Sequence, residues 1–217
     1  MSSIELFQNK TDCCGCSACY NVCPRKAISM QEDEYGYVYP VIDQDKCVGC
    51  GLCRKVCHYQ ADKELRTPIK AYAAAGKKEE FLKKAASGGM FSLVADKILE
   101  EGGVVFGVAM EYHNNTLIPK HIAVESKEEL FKLQGSKYVQ SFIGNTYAEA
   151  KKYLADGRKV LFSGTPCQIE GLKGYLGREY ENLYTIDIIC HGVPNAKWFQ
   201  DCLLYTSDAA DDRISVD

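Results

Sequence analysis

The sequence predicts an α+β fold: a small metal-stapled module at the N-terminus, then an α/β domain that this chain holds only in part. Three observations predict it. Eight of the twelve cysteines fall in two runs of identical spacing between residues 13 and 57. A polar stretch with one proline follows at residues 63–72. Beyond it, helical and strand patterns alternate as far as about residue 200.

The cysteine runs are Cys13-x2-Cys16-x2-Cys19-x3-Cys23-Pro24 and Cys47-x2-Cys50-x2-Cys53-x3-Cys57. This is the ligand spacing of a bacterial-type ferredoxin with two 4Fe–4S clusters, in which the fourth cysteine of each run serves the other cluster. Cys13, Cys16, Cys19 and Cys57 are expected at one cluster, and Cys47, Cys50, Cys53 and Cys23 at the second. Zinc sites use separated cysteine pairs, and disulfide frameworks suit small secreted domains. Residues 1–10 carry no cationic start followed by an apolar stretch, so no export leader is read there. Between the runs, residues 27–30 and 41–43 take the short helix and strand positions of a ferredoxin-like half. Residues 34–39 read as a hairpin turning at Gly36, with Tyr37 and Tyr39 on one strand face as a shield against water. His58 stands where the first run has Pro24, a change in local stiffness rather than in ligation. Cys14 lies outside the spacing and is expected to be a small buried side chain. The module, residues 1–62, has little apolar core and is held together by metal.

Residues 63–72 read as a linker, and residues 73–201 as the N-terminal part of the second domain. Phe91, Val94, Ala95, Ile98 and Leu99 share one helical face ending near Gly102-Gly103. Strands are expected at 104–110 and 118–124, helices at 128–133 and 146–155, a strand at 159–162, a helix at 166–176 and a buried strand at 183–189. The last strands are expected to run parallel.

Three segments there have the composition of a site. Ser87-Gly88-Gly89 opens a helix whose first turn lacks a carboxylate, which suits either a phosphate at the helix N-terminus or a plain serine cap. Gly135-Ser136-Lys137-Tyr138 is a short loop with a cation and an aromatic ring. In Ser163-Gly164-Thr165-Pro166-Cys167-Gln168, Thr165 and Gln168 form a capping box with proline at the first helical position. Cys167 then lies in the first helical turn, where a thiol ionises more readily. Cys190 follows the next strand and leads into His191-Gly192-Val193-Pro194. With parallel strands, both thiols reach the C-terminal edge of one sheet, where α/β domains hold ligands. They read as inert thiols, as a nucleophile–resolving pair or as shared metal ligands, the last being favoured.

These segments, in this order, resemble the coenzyme F-420 hydrogenase/dehydrogenase beta-subunit family of iron–sulfur flavoproteins. The matching stretches are Ala86 to Gly89, Gly135 to Val139, Phe162 to Gln168 and Asp187 to Pro194, and the resemblance spans residues 10–200. It implies FAD in the second domain, with Ser87, Gly88, Gly89, Gly135, Ser136, Lys137 and Tyr138 as flavin contacts. It also implies a third 4Fe–4S cluster in the full-length protein, using Cys167, Cys190 and a cysteine pair further on. His191 and Lys137 are named as possible proton donors because they sit inside these motifs. The expected function is that of an iron–sulfur flavoprotein oxidoreductase, passing electrons between clusters and FAD and so to or from an organic substrate or a deazaflavin-type cofactor. The alternative is a non-catalytic electron-transfer subunit of a larger complex. The expected partner is a redox protein or a small-molecule substrate.

Composition excludes other classes. Net charge is −3 with no Lys/Arg tract, which argues against nucleic acid. No apolar stretch approaches the roughly 20 residues that cross a bilayer. Oxygen-sensitive clusters point to a reducing cytoplasm. Residues 202–211 read as a translated sequencing adapter over ten consecutive codons, and residues 215–217 fit its continuation. Residues 202–217 are expected to be an artefact in which Cys202 has no role, and the chain itself to be an inactive fragment.

Overall fold

In the computed structural model, which describes residues 4–60, 67–77, 79–85, 87–113 and 116–211, the N-terminal cysteines sit on loops between very short elements. Helices α1 (Ala18–Val22) and α2 (Leu52–Lys55) each begin just behind the second cysteine of a run. Between them β1 (Ile28–Glu32) and β2 (Val38–Ile42) pair antiparallel, with Ile28 opposite Ile42. The predicted hairpin is present with a wider turn. The Asp33 carboxylate accepts the backbone N–H groups of Tyr35 (3.0 Å) and Tyr37 (2.9 Å), so Tyr37 precedes the strand instead of sharing a face with Tyr39. Gly36 takes φ +85°, and a Cβ there would meet the Lys197 Cβ at 2.7 Å.

The second domain contains α3 (Glu79–Lys83), α4 (Met90–Glu100), β3 (Val104–His113), β4 (Thr116–Val124), α5 (Thr146–Ala155), β5 (Val160–Gly164), α6 (Pro166–Leu176), β6 (Leu183–Asp187) and α7 (Ala196–Asp211). The strands lie in the order β4-β3-β5-β6. β3 and β4 form an antiparallel hairpin, whereas β3–β5 and β5–β6 are parallel. Alternation along β3 and β5 feeds two cores. Val105 and Leu161 pack with Ala95, Ile98 and Leu99 of α4 on one face. Val104, Phe106, Val160 and Phe162 pack with α5 and α6 on the other. Both strands are therefore covered on both faces, as parallel strands usually are.

Two expectations need correction. The helix expected at 128–133 is one 3-10 turn, Leu130–Lys132. Its anchors Leu130 and Leu133 are three residues apart, a spacing that a single 3-10 turn places on one face. The strand expected to be buried at 183–189 ends at Asp187 and is half-exposed, because β6 pairs only with β5 among the described residues. Ile189 beyond it is 92% exposed. Residues 202–211, read as adapter, continue helix α7, and their described side chains at 202–206 are exposed and add nothing to the core. Residues 61–66, which include part of the expected linker, lie outside the described residues, as do Ala86 and residues 212–217. No helix among the described residues is long and apolar enough to cross a membrane.

The cysteine module shares the core of the second domain. Ala18 and Val56 belong to the cluster containing Phe106, Phe162, Ile169 and Leu172. The fully buried Tyr147 shares its hydroxyl between the carbonyls of Cys16 (2.9 Å) and Gln168 (2.7 Å). Asn21 donates to the Gly144 carbonyl at 2.9 Å. Gly174 lets α6 pass so close that a Cβ would meet the Val56 carbonyl oxygen at 2.5 Å.

One titratable group is sealed inside. His121 of β4 stacks on Phe162 with ring centroids 5.4 Å apart. Its Nε2 lies 3.1 Å from the Ser163 carbonyl, which can only accept, so the proton is on Nε2. Nδ1 then accepts from the Ser141 hydroxyl at 3.0 Å. Burial pulls the His121 pKa from 6.5 down to about 4. The unfolded chain therefore binds the extra proton first, so this group's contribution is intact above pH 6.5 and lost as pH falls toward 4. Between about pH 7 and about pH 5 wild-type protein should lose about 2 kcal/mol that His121→Gln does not lose. Urea midpoints at the two pH values test this, and equal losses in both proteins contradict it. Tyr147→Phe removes the donor to two carbonyls and should cost about 1–2 kcal/mol, read from the same unfolding curves.

Candidate cofactor sites

Two hollows in the N-terminal module are lined by thiols, five in the first, where Cys14 joins the four of the repeat, and four in the second. Cys13, Cys16, Cys19 and Cys57 face the first, and Cys23, Cys47, Cys50 and Cys53 face the second. The backbone reaches this arrangement by one device used twice. The residues on either side of Cys16 and of Cys50 are left-handed: Gly15 and Ser17 in the first run, Gly49 and Gly51 in the second. Ser17 is the one side chain among these four, at a strain of roughly 1–2 kcal/mol. Burial pushes the Cys13 thiol up to about 11 and raises Cys19 as well. Thiols in such a place give up their protons when a bound metal supplies the compensating charge.

The expectation for Cys14 is corrected. Its thiol lies 3.7 Å from His58 Nε2 and beside the thiols of Cys16 and Cys167, with which it interacts electrostatically. Among the described residues, Cys14, Cys16 and His58 are the one group of three possible ligands whose donor atoms lie within 4.8 Å of one another. His58 Nδ1 is buried without a partner. Spacing alone could not show this, because Cys14 falls outside the repeat and Cys167 is distant in sequence.

The main cavity, about 430 Å³, opens at the C-terminal ends of β5 and β6. This is the edge at which α/β sheets hold their ligands. One wall is the start of α4, where Gly89 caps the helix at φ +72° and the first turn carries no acid. The floor is the start of α6, with Thr165, Cys167 and Gln168. The capping box is present as predicted. The contact with Cys14, with help from the Thr165 hydroxyl at 3.1 Å, holds the Cys167 pKa down at about 6. Cys14 and Gly15 of the cysteine module close the cavity from a third side.

Of the residues expected to contact a flavin, Ser87, Gly89, Gly135, Ser136, Lys137 and Tyr138 all line this cavity. Gly88 does not. Its carbonyl accepts from Gly76 N–H at 2.7 Å, and a Cβ would meet the Ala74 carbonyl oxygen at 2.3 Å, so it is a close-packing position. Lys137 is half-buried, which lowers its pKa, and donates to the carbonyls of Gln134 (2.7 Å) and Lys132 (3.2 Å). Tyr138 stands at the rim, 83% exposed. Cys190 and His191 do not line the cavity, and His191 is exposed. Cys167 thus meets Cys14, and Cys190 joins no group of three possible ligands among the described residues.

A polar chain orders the floor, and beyond the capping box no sequence signal announces it. Gln168 Nε2 donates to the Ser141 hydroxyl at 3.1 Å, and its Oε1 accepts the Thr165 N–H at 3.1 Å. Ser141 in turn donates to His121, and His121 to the Ser163 carbonyl. Beside it, Gln140 lines the cavity with its Oε1 buried and unpartnered. A buried acceptor without a partner is the kind of group that a ligand satisfies.

Comparison with known proteins agrees with this division of the chain. Residues 12–61 match the 4Fe-4S dicluster domain. Residues 71–145 match the N-terminal model of the coenzyme F420 hydrogenase/dehydrogenase beta subunit, and residues 157–214 its C-terminal model. An uncharacterised protein of Methanocaldococcus jannaschii is 25% identical over 200 residues, covering 79% of this chain and 54% of that protein. The coenzyme F420-dependent sulfite reductase of the same organism is 24% identical over 191 residues, covering 84% of this chain and 28% of that protein. The chain thus spans about half, or less, of the length of these two relatives. A chain of the solved F420-reducing nickel–iron hydrogenase complex from Methanosarcina barkeri aligns with a TM-score of 0.47 at 22% identity, over 64% of this chain and 52% of that one. With both of its models matched in order behind the dicluster domain, the chain belongs to the coenzyme F420 hydrogenase/dehydrogenase beta-subunit family.

Proposed function

We propose that this chain is the cluster-and-flavin portion of an iron–sulfur flavoprotein oxidoreductase. One observation carries the reading: Cys14 and Gly15 line both the first thiol hollow and the main cavity, so the two sites share a wall. A 4Fe–4S cluster fits each hollow, because the four thiols of one ligand set line each and the two runs follow the crossed ligand rule. Cys13, Cys16, Cys19 and Cys57 hold the inner cluster; Cys47, Cys50, Cys53 and Cys23 hold the outer one.

FAD fits the main cavity on three grounds. Its volume lies in the range of cofactor sites. The acid-free start of α4 offers backbone N–H groups to a pyrophosphate. The unpartnered Gln140 Oε1 offers an acceptor to the edge of a ring. Clusters move electrons singly and a flavin also exchanges them in pairs, which is the chemistry that the bound groups supply. The protein's part is to position and to exclude water. The Gln168–Ser141–His121 chain fixes the floor, Met90 and Phe91 wall it, and the Lys137 ammonium, held by two carbonyls, keeps positive charge beside the site. An organic substrate or a deazaflavin-type cofactor would enter past Tyr138 at the rim. A third cluster using Cys167 has for support the position of that thiol on the cavity floor, and no more.

Purified anaerobically, the holoprotein with Cys57→Ser should lose about four of its iron atoms and keep the outer cluster. Iron analysis with EPR reads this; retention of both clusters would remove Cys57 from the inner site. Met90→Glu places a carboxylate in the first turn of α4, where it favours the helix and repels a phosphate. It should weaken FAD binding roughly tenfold with no loss of folding stability. Titration of flavin fluorescence measures it, and unchanged affinity would move the pyrophosphate away from α4.

A further inference from the structure

We infer that the face over the outer thiol hollow is the docking surface for a small acidic electron-carrier protein. The inference rests on the two-cluster reading above. Three features of this chain carry it.

The two hollows differ in cover. The inner one lies against the second domain, where Gly171 of α6 would place a Cβ only 3.1 Å from Cys16 Sγ. The outer one faces water. Cys50 is exposed, and Gly49 and Gly51 on either side of it have nothing within 4 Å of where a side chain would start. Electrons that reach the main cavity through the inner site therefore enter at the outer one.

The surface at that point is apolar at its centre. Val48 is 57% and Leu52 38% exposed, and both line the outer hollow. Around them stand Arg25, which lines the same hollow, its neighbour Lys26, and Arg54 and Lys55 on helix α2. All four are exposed, and none has a carboxylate partner among the described residues. Lys46 adds a fifth cation, paired with Asp43 at 2.7 Å. The five cations outnumber the acids near them, Asp43 and Asp45 beside Lys46 and Glu5 and Asp12 in the hollow that Arg54 lines, so the face keeps a net positive charge on a chain whose net charge is −3. A surface of sign opposite to the whole molecule selects its partner by charge, and small electron-transfer interfaces are steered in this way. A negatively charged carrier is attracted by this face and repelled by the rest of the protein, which orients it on the exposed cluster.

The test uses the holoprotein, with iron analysis and EPR confirming its clusters; wild-type protein without clusters would sink the underlying reading, a failure distinct from the one below. Reduction of the clusters is followed by anaerobic stopped flow with two reductants: a reduced acidic two-cluster ferredoxin as the protein probe, and reduced methyl viologen as a small one. The ferredoxin rate constant should fall at least roughly tenfold as salt rises from about 50 to about 500 mM. In the combined variant K26E/R54E/K55E it should fall by a similar factor at low salt, with viologen rates within roughly twofold of wild type. A ferredoxin rate that is flat with salt in wild-type protein overturns the proposal whatever the variant does. So does a variant that keeps its viologen rate and its ferredoxin rate together.

Discussion

The clamp between the first cysteine loop and the two helices of the second domain is the constraint on which the rest of the structure depends. Tyr147, fully buried on α5, holds the Cys16 carbonyl with the same hydroxyl that holds α6 through Gln168. Gly171 and Gly174 remove the side chains that would keep α6 away from Cys16 and Val56. A short metal-bound module with little core of its own is thereby joined to the Phe106–Phe162 core, and its first thiol hollow is set against the cavity wall. Without that approach the chain would be two independent objects on a tether. With it, the inner site and the cavity share residues.

The same packing sets the electrostatics. Thiols buried at the seam resist ionisation, as Cys13 and Cys19 show, whereas Cys16 and Cys167 are drawn down by the Cys14 contact. Charge at the seam is therefore shared through a small group of sulfur atoms and His58 rather than carried by carboxylates. The cavity floor is ordered differently, by neutral hydrogen bonds that end on a histidine kept uncharged by burial. A neutral floor and an acid-free helix start leave Lys137 as the cation whose ammonium is fixed on the loop beside it.

Much of this could be read from the chain. The helices at 146–155 and 166–176 appear at their expected bounds, because one has a clear apolar face and the other a capping box with proline and a glycine stop. The eight-cysteine repeat foretold both hollows, and six of the seven expected flavin contacts line one cavity. What failed had a common cause, namely that it depended on distant residues. Cys14 and His58 acquire meaning only when α6 brings Cys167 to them, and Gln140 sits in a polar loop with no local mark. The strand at 183–187 looks apolar enough for burial, yet lies at the sheet edge, where sequence pattern cannot place it. Gly88, expected as a ligand glycine, serves the close approach of the 74–76 segment.

The central claim, that electrons cross from the inner cluster to FAD through the shared wall, is tested most directly by the rate of flavin bleaching after rapid anaerobic mixing with a reduced ferredoxin. The wild-type holoprotein is compared with a Cys19→Ser variant that retains FAD and the outer cluster. The account predicts that bleaching follows cluster reduction closely in wild-type protein and slows by at least roughly a hundredfold in the variant. Equal bleaching rates in the two proteins would contradict it.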